Sequence, residues 1–295
     1  MGLGDMEQAT GSQAQAEAMI HPPRRKLIIE KRTKLFDMDW LAVWEYRELG
    51  YILVWRDITV RYKQTAIGVA WVVLQPLLMM LIFTAVFGKM AKVPSDGVWY
   101  PAFSLTGLLP WLYFSQAVSR AGESVVANAN MVRKIYFPRL WLPLATVLSP
   151  LVDFALSMIL LFGLLVYAGI PLTWKVVILP AFILLAMLTA LGLCLFTSAL
   201  HAKYRDVGHA IPFVIQVWMY LTPIVYPVSL VPEQWRWLYG LNPMVGVIEG
   251  FRWALLGRTA PDPVVMVESV VVLFAVILAG LVYFRRMERQ FADIV

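Results

Sequence analysis

Charge is scarce in this chain. Only 15% of its 295 residues are Asp, Glu, Lys or Arg, while 60% are hydrophobic. A soluble domain is nearer about one quarter charged and one half apolar. A water-soluble globule is therefore excluded, and most of the chain is expected inside lipid. Cysteine is nearly absent too. Cys194 stands alone in an apolar run, which excludes a disulfide framework or a CxxC metal site within one chain. His21, His201 and His209 are too scattered for a metal site and read as surface or interfacial residues.

Catalytic motifs are also missing. There is no G-x-x-x-x-G-K-[ST] phosphate loop, no G-x-S-x-G elbow and no H-E-x-x-H. Nothing here could hydrolyse ATP or visibly catalyse a reaction, so the chain reads as a non-enzyme without a cofactor or metal of its own. The start lacks the apolar core of a signal peptide. Met6 stands where a myristoylation signal wants Ser or Thr. The net charge of +6 would suggest nucleic acid in a soluble protein. In a membrane protein the placement of the charges decides instead, and no nucleic-acid partner is expected.

What the chain does have is long apolar runs. A spanning helix needs about 20 predominantly apolar residues. Six candidates lie at about 67–88, 101–124, 141–168, 176–200, 210–227 and 264–284. The expected fold is an all-α integral membrane protein with six transmembrane helices. Six spans put both termini on one side. Eighteen Lys and Arg fall on that side and six on the other, with Arg120 inside the second span. The basic side is expected in the cytoplasm.

Around the spans the composition changes. Residues 1–37 are polar, then basic ("RRKLIIEKRTK"), and read as a disordered cytoplasmic segment near lipid headgroups. Residues 38–63 read as an amphipathic interface helix rich in Trp, with Trp44, Trp55 and Tyr62 on its apolar side and Arg56, Asp57 and Arg61 among its charges. Residues 64–290 form the transmembrane domain. Within it, residues 228–258 are too polar to span and too apolar for an open loop. Two short re-entrant or interfacial helices broken near "GLNP" fit, as does an amphipathic surface cap.

Charges inside spans are costly and usually face a bundle interior. Arg120 and Glu123 stand at i,i+3 and read as a helix-end pair. Asp153 is compatible with packing, a helix contact or a transport path. Phe83 and Phe87 lie one turn apart, and Trp218, Tyr220 and Tyr226 cluster near the fifth span. They either pack or line a wet lumen.

Several motifs in order carry a resemblance. "WRDITVRYKQTAIGVAWVVLQPLL", "GLLPWLYFSQAVSRA", "NANMVRKIYFPR", "KYRDVGH", "LTPIVYP" and "LNPM" together resemble the membrane subunits of type-2 ABC exporters. The resemblance is to the group that exports O-antigen, capsule and teichoic-acid polymers. It covers about residues 38–290, with Ile67 where the family usually has Leu. It implies a homodimer bound to two copies of a separate cytoplasmic ATPase, which carries the ATP and Mg. It implies a bacterial inner-membrane permease and a lipid-linked glycan that passes between the two copies. It casts Phe83, Phe87, Trp218, Tyr220 and Tyr226 as channel-lining residues. Trp235, Trp237, Tyr239, Asn242 and Pro243 become parts of an outer gate. A membrane subunit without an ATP site must receive its work elsewhere. The loop Asn130, Met131, Arg133, Lys134, Ile135, Phe137, Pro138 and Arg139 is the expected contact. A drug or lipid exporter, or a scaffold without transport, are the competing readings.

Overall fold

A computed structural model describes residues 40–63, 68–257 and 260–291. The expectation of disorder for residues 1–37 falls outside them. The described residues are helical with no strand. A short helix α1 (Trp40–Glu45) leads into α2 (Arg47–Tyr62). Leu41, Trp44, Tyr51 and Trp55 are exposed along this segment, while Leu53 is buried. The buried side rests on α6 (Trp141–Leu148). Gly50 makes that approach close, because a Cβ there would overlap the Trp141 ring.

Helix α3 (Ala70–Phe83) runs on into a π-helical stretch, Thr84–Met90. Helix α4 (Tyr100–Ala127) starts with Pro101 in its first turn, where the missing N–H costs nothing. It is buried along most of its length and is packed by α3, α6, α7 (Pro150–Tyr167), α8 (Leu179–Lys203), α9 (Val207–Leu221) and α11 (Pro243–Leu256). Between α4 and α6 lies the short α5 (Ala129–Lys134). Helix α10 (Arg236–Gly240) precedes α11, and α12 (Pro263–Glu288) packs along α8. A Cβ on Gly280 of α12 would overlap the Gly192 carbonyl of α8. Small residues at such crossings let membrane helices approach.

Among the described residues, four helical runs are long and apolar enough to cross a membrane: Ala70–Met90, Trp141–Tyr167, Trp174–Lys203 and Pro263–Glu288. They match four of the six expected spans. The other two differ for separate reasons. Helix α4 has 28 residues, ample length, but Ser, Thr, Gln, Arg120 and Glu123 dilute its apolar character. Helix α9 has 15 residues, roughly 22 Å against a hydrocarbon core of about 30 Å. The apolar run predicts a helix to residue 227, but the helix stops at Leu221, because Thr222 precedes Pro223 and turns extended, with ψ 137°.

The outer segment breaks at Asn242. Its side chain accepts from the Met244 amide at 3.1 Å, capping α11, and Pro243 opens the helix. Apolar residues surround α11 on every side. Met244, Val245, Val247, Ile248, Phe251 and Leu255 are all buried, the condition of a helix enclosed by protein.

Candidate functional site

One polar cluster of the molecule is organised around Asp153. This carboxylate is 8% exposed, on the first turn of α7. Arg61 and Tyr62, from the last turn of α2, both donate to it. Gln116 Nε2 of α4 donates at 3.2 Å. A buried carboxylate without such partners would be strongly disfavoured. Of its open readings, the structure gives a junction of α2, α4 and α7. Burial, and then the bond to Asp153, push the Tyr62 hydroxyl up to about 12. It therefore stays a neutral donor at ordinary pH.

This junction walls a cavity of 710 Å³, lined among others by Arg61, Tyr62, Trp71, Gln75, Gln116 and Arg120. A second cavity of 420 Å³ shares Arg61 and Arg120 and adds Arg56, Asp57, Glu123 and Asn128. Among the described residues no ion pair joins Arg120 to Glu123, contrary to expectation. Both are exposed, and Arg120 lines the cavities instead.

The loop between α4 and α6 divides into two faces. Asn130, Arg133 and Lys134 are exposed, as are Ile135 (58%) and Tyr136 (70%). Phe137 is 4% exposed and joins a cluster with Val132, Leu142 and Phe284. It cannot offer the apolar contact surface expected of it. Tyr136, which the sequence pattern did not single out, is exposed beside Ile135 instead. Met131 and Pro138 are partly buried. Arg139 is a tether, donating to the Glu288 carbonyl at the end of α12. Asn128 occupies the N-cap position of α5 without capping it. Its side chain instead donates to the Ser124 carbonyl at 2.7 Å and accepts from Arg56 at 2.8 Å. Arg56 also holds Asp57, at 2.9 Å.

The five aromatics expected in a lumen are not equivalent. Phe83 is buried and meets Phe87 edge-on, ring centroids 5.7 Å apart. Trp218 packs edge-on against Phe114 at 5.5 Å and Trp111 at 6.4 Å, both on α4. Tyr220 is exposed. On α9 it shares a helical stripe with exposed Phe213, Gln216 and Val217. Gln216 is a polar group in the apolar run that follows His209 on this helix, the signal that could have marked this face.

In the segment after α9, Tyr226 and Tyr239 meet through their hydroxyls at 3.0 Å. Asn242 donates to Thr222 Oγ1 at 2.9 Å. These contacts tie α10 and α11 to the turn after α9. Trp235 and Trp237 are exposed. By sequence Arg252 counts merely as an outer charge. It is 3% exposed and donates to the Ile224 carbonyl at 2.8 Å and to Glu249 at 3.0 Å. A basic residue three after Glu249 in an apolar helix was its only mark.

Comparisons with known proteins bear on the family of the chain. The chain is 28% identical over 255 residues to the O-antigen export system permease protein RfbA of Myxococcus xanthus, covering 85% of this chain and 96% of that protein. A Klebsiella pneumoniae protein of the same name is 28% identical over 251 residues, covering 84% and 95%. The polysialic acid transport protein KpsM of Escherichia coli is 23% identical over 244 residues, covering 79% and 91%. The family described as ABC-2 type transporter matches residues 48–256. With its apolar helices, its buried helix α11 and this match across most of its length, the chain belongs to the ABC-2 type transporter membrane family.

Proposed function

We propose that the chain is the permease subunit of an ATP-driven exporter that moves a lipid-linked polysaccharide out of the cytoplasm across the bacterial inner membrane. The observation that carries the reading is the alignment along 79–85% of the chain with permeases named for O-antigen export and polysialic acid transport. In this reading α4 and α9 complete six spans, and both termini lie in the cytoplasm with the basic residues. Two copies enclose the path. The α9 stripe of Phe213, Gln216 and Tyr220 faces it, with Phe87 and Tyr226 nearer the outer end.

The chain has no phosphate loop, so its work comes from a separate ATPase carrying ATP and Mg. Two copies of that subunit sit at the cytoplasmic loops. The exposed residues Asn130, Arg133, Lys134, Ile135 and Tyr136 are the surface available to receive them. The outer helices α10 and α11 gate the exit. The exposed Trp44 and Trp55 rest in the membrane interface.

The test is deletion and complementation in the source organism, with surface glycan and cytoplasmic lipid-linked glycan both measured. The reading expects surface polymer to vanish and the lipid-linked intermediate to accumulate inside. Normal surface glycan in the deletion strain overturns it.

A further inference from the structure

The exposed face of α9 is polar without being charged. Phe213, Gln216, Val217 and Tyr220 are all exposed on it, at helical spacing. Trp218 turns away from it, onto α4. No Asp, Glu, Lys or Arg occurs from Val207 to Pro232, so α9 and the turn after it are uncharged along their whole length. Charges return only past the ends. Arg205 and Asp206, of opposite sign, precede the helix. Glu233 and Arg236 follow it and pair with each other at 3.7 Å. Exposed Lys89 and Lys92 lie beyond Phe87, at the close of the π-helical stretch and in the turn after it. Other long helices present a different surface. Ile159 of α7, Leu184 of α8, and Val271, Phe274 and Leu278 of α12 are exposed and purely apolar.

The chemistry of the stripe follows from its members. Gln216 carries an amide that both donates and accepts, and on a membrane helix such a group faces a bundle interior or water rather than lipid. Sugar hydroxyls, which also donate and accept, suit it. Phe213 and Tyr220, on either side of it, offer ring faces to the C–H faces of sugar rings. An acidic polymer would bring an anion past this face with every repeat. An anion out of bulk water and without a partner is strongly disfavoured, and pores that pass anions carry Arg or Lys for that purpose. The stripe has an amide, a phenol and hydrocarbon in those places.

We propose that the path along α9 selects an uncharged glycan, with Gln216 as a specificity-determining contact. The inference deepens the export reading and rests on it. Sugar hydroxyls satisfy the amide as the polymer advances, and each ring passes from one aromatic to the next without leaving a charge stranded. The same face on a second copy adds a second neutral stripe and no cation. A lipid-borne phosphate at one end of the polymer does not decide the matter, because neutral and acidic cargo share it. A polymer with an acidic group in each repeat is therefore not the cargo.

The experiment uses the full chain with its partner ATPase in proteoliposomes. Lipid-linked glycan extracted from the permease-deletion strain is supplied in three forms: native, lightly butyrylated, and lightly succinylated to the same degree. The two esters match in length and differ in the carboxylate at the tip. ATP-dependent movement is read as protection from external periodate. Native and butyrylated glycan should move at similar rates, and succinylated glycan roughly tenfold slower or more. Gln216→Arg, which sets a cation on the stripe, should shrink the gap between the two esters several-fold. Should that variant fail to fold, the two esters on the parent chain still decide. Equal rates for the two esters, with native glycan moving, overturn the selectivity and leave the export reading standing. An unchanged ratio of the esters in folded Gln216→Arg overturns the role of Gln216. Loss of dimer mass in Gln216→Arg assigns the stripe to the contact between copies and overturns the path. If no form of the glycan moves, the export reading falls and this inference with it.

Discussion

The guanidinium of Arg252 lies 3.7 Å from the centroid of the Phe103 ring. A cation of α11 is thereby sealed against an aromatic of α4, while the same group holds the Ile224 carbonyl and Glu249. Removing one partner of a buried ion pair costs about 3–5 kcal/mol, since the other charge is stranded. Arg252→Met should lower the apparent melting temperature of the detergent-purified protein and strip the outer segment of protease resistance. Arg252→Lys should fail to restore either, because one ammonium cannot stack on the ring and serve both acceptors. Unchanged melting in Arg252→Met would show that the pairing contributes nothing.

The two faces of the loop after α4 predict opposite outcomes from adjacent substitutions. Phe137→Asp places a charge in a packed cluster and, beyond the roughly 3–5 kcal/mol of a Phe truncation, should abolish accumulation of folded protein. Ile135→Asp with Tyr136→Asp should leave folding and dimer mass intact while uncoupling ATPase activity from export. Size-exclusion profiles and ATP turnover per polymer exported separate the two cases. Full coupling in the double variant would place the contact elsewhere on the inner face.

The contact of α8 with α12 has no spare room. Gly280→Leu forces a side chain into the Gly192 carbonyl and should separate the helices. Overpacking of this kind typically costs about 1–3 kcal/mol. Gly163→Leu, on an open face where a Cβ meets nothing within 4 Å, is the control. Equal thermal stability of the two variants would refute the close approach.

Water along α9 can be mapped with thiol reagents. Cys194 is the single cysteine and is buried, so Cys194→Ala provides a silent background. Gln216→Cys and Tyr220→Cys should react with a membrane-impermeant maleimide in the assembled exporter. Phe274→Cys, similarly exposed on α12, should not, because in the proposed reading that apolar helix turns this face to lipid. Equal protection at all three positions would remove the lumen from α9.

Some of this was legible from residues alone. Asn242 followed by Pro243 announces a helix start by chemistry that acts within one turn, and the break falls there. Other features depend on distant partners. Asp153 finds Arg61 across 92 positions, which no local pattern encodes. Arg120 and Glu123 have suitable spacing, but spacing permits a pair without compelling it, and Arg120 faces a cavity instead. In the loop, a single-residue phase difference separates buried Phe137 from exposed Tyr136. Both lie beyond α5, which ends at Lys134 with Ile135 extended, so no helical periodicity sets which of them is buried. The end of α9 shows the reverse case. The apolar run continues to residue 227, yet Pro223 bends the backbone of the residue before it.

The bond between Arg56 and Asn128 has a mechanical consequence. It fastens the start of the short loop to α2, and α2 is itself seated under Trp141 through Gly50. Arg139 fastens the other end of the loop to the close of α12. These bonds brace the loop, so that a load applied at Ile135 and Tyr136 would be shared by three elements rather than carried by the peptide chain alone. Residues 222–235, by contrast, run as turns and short 3₁₀ segments, where the backbone can yield without breaking a long helix.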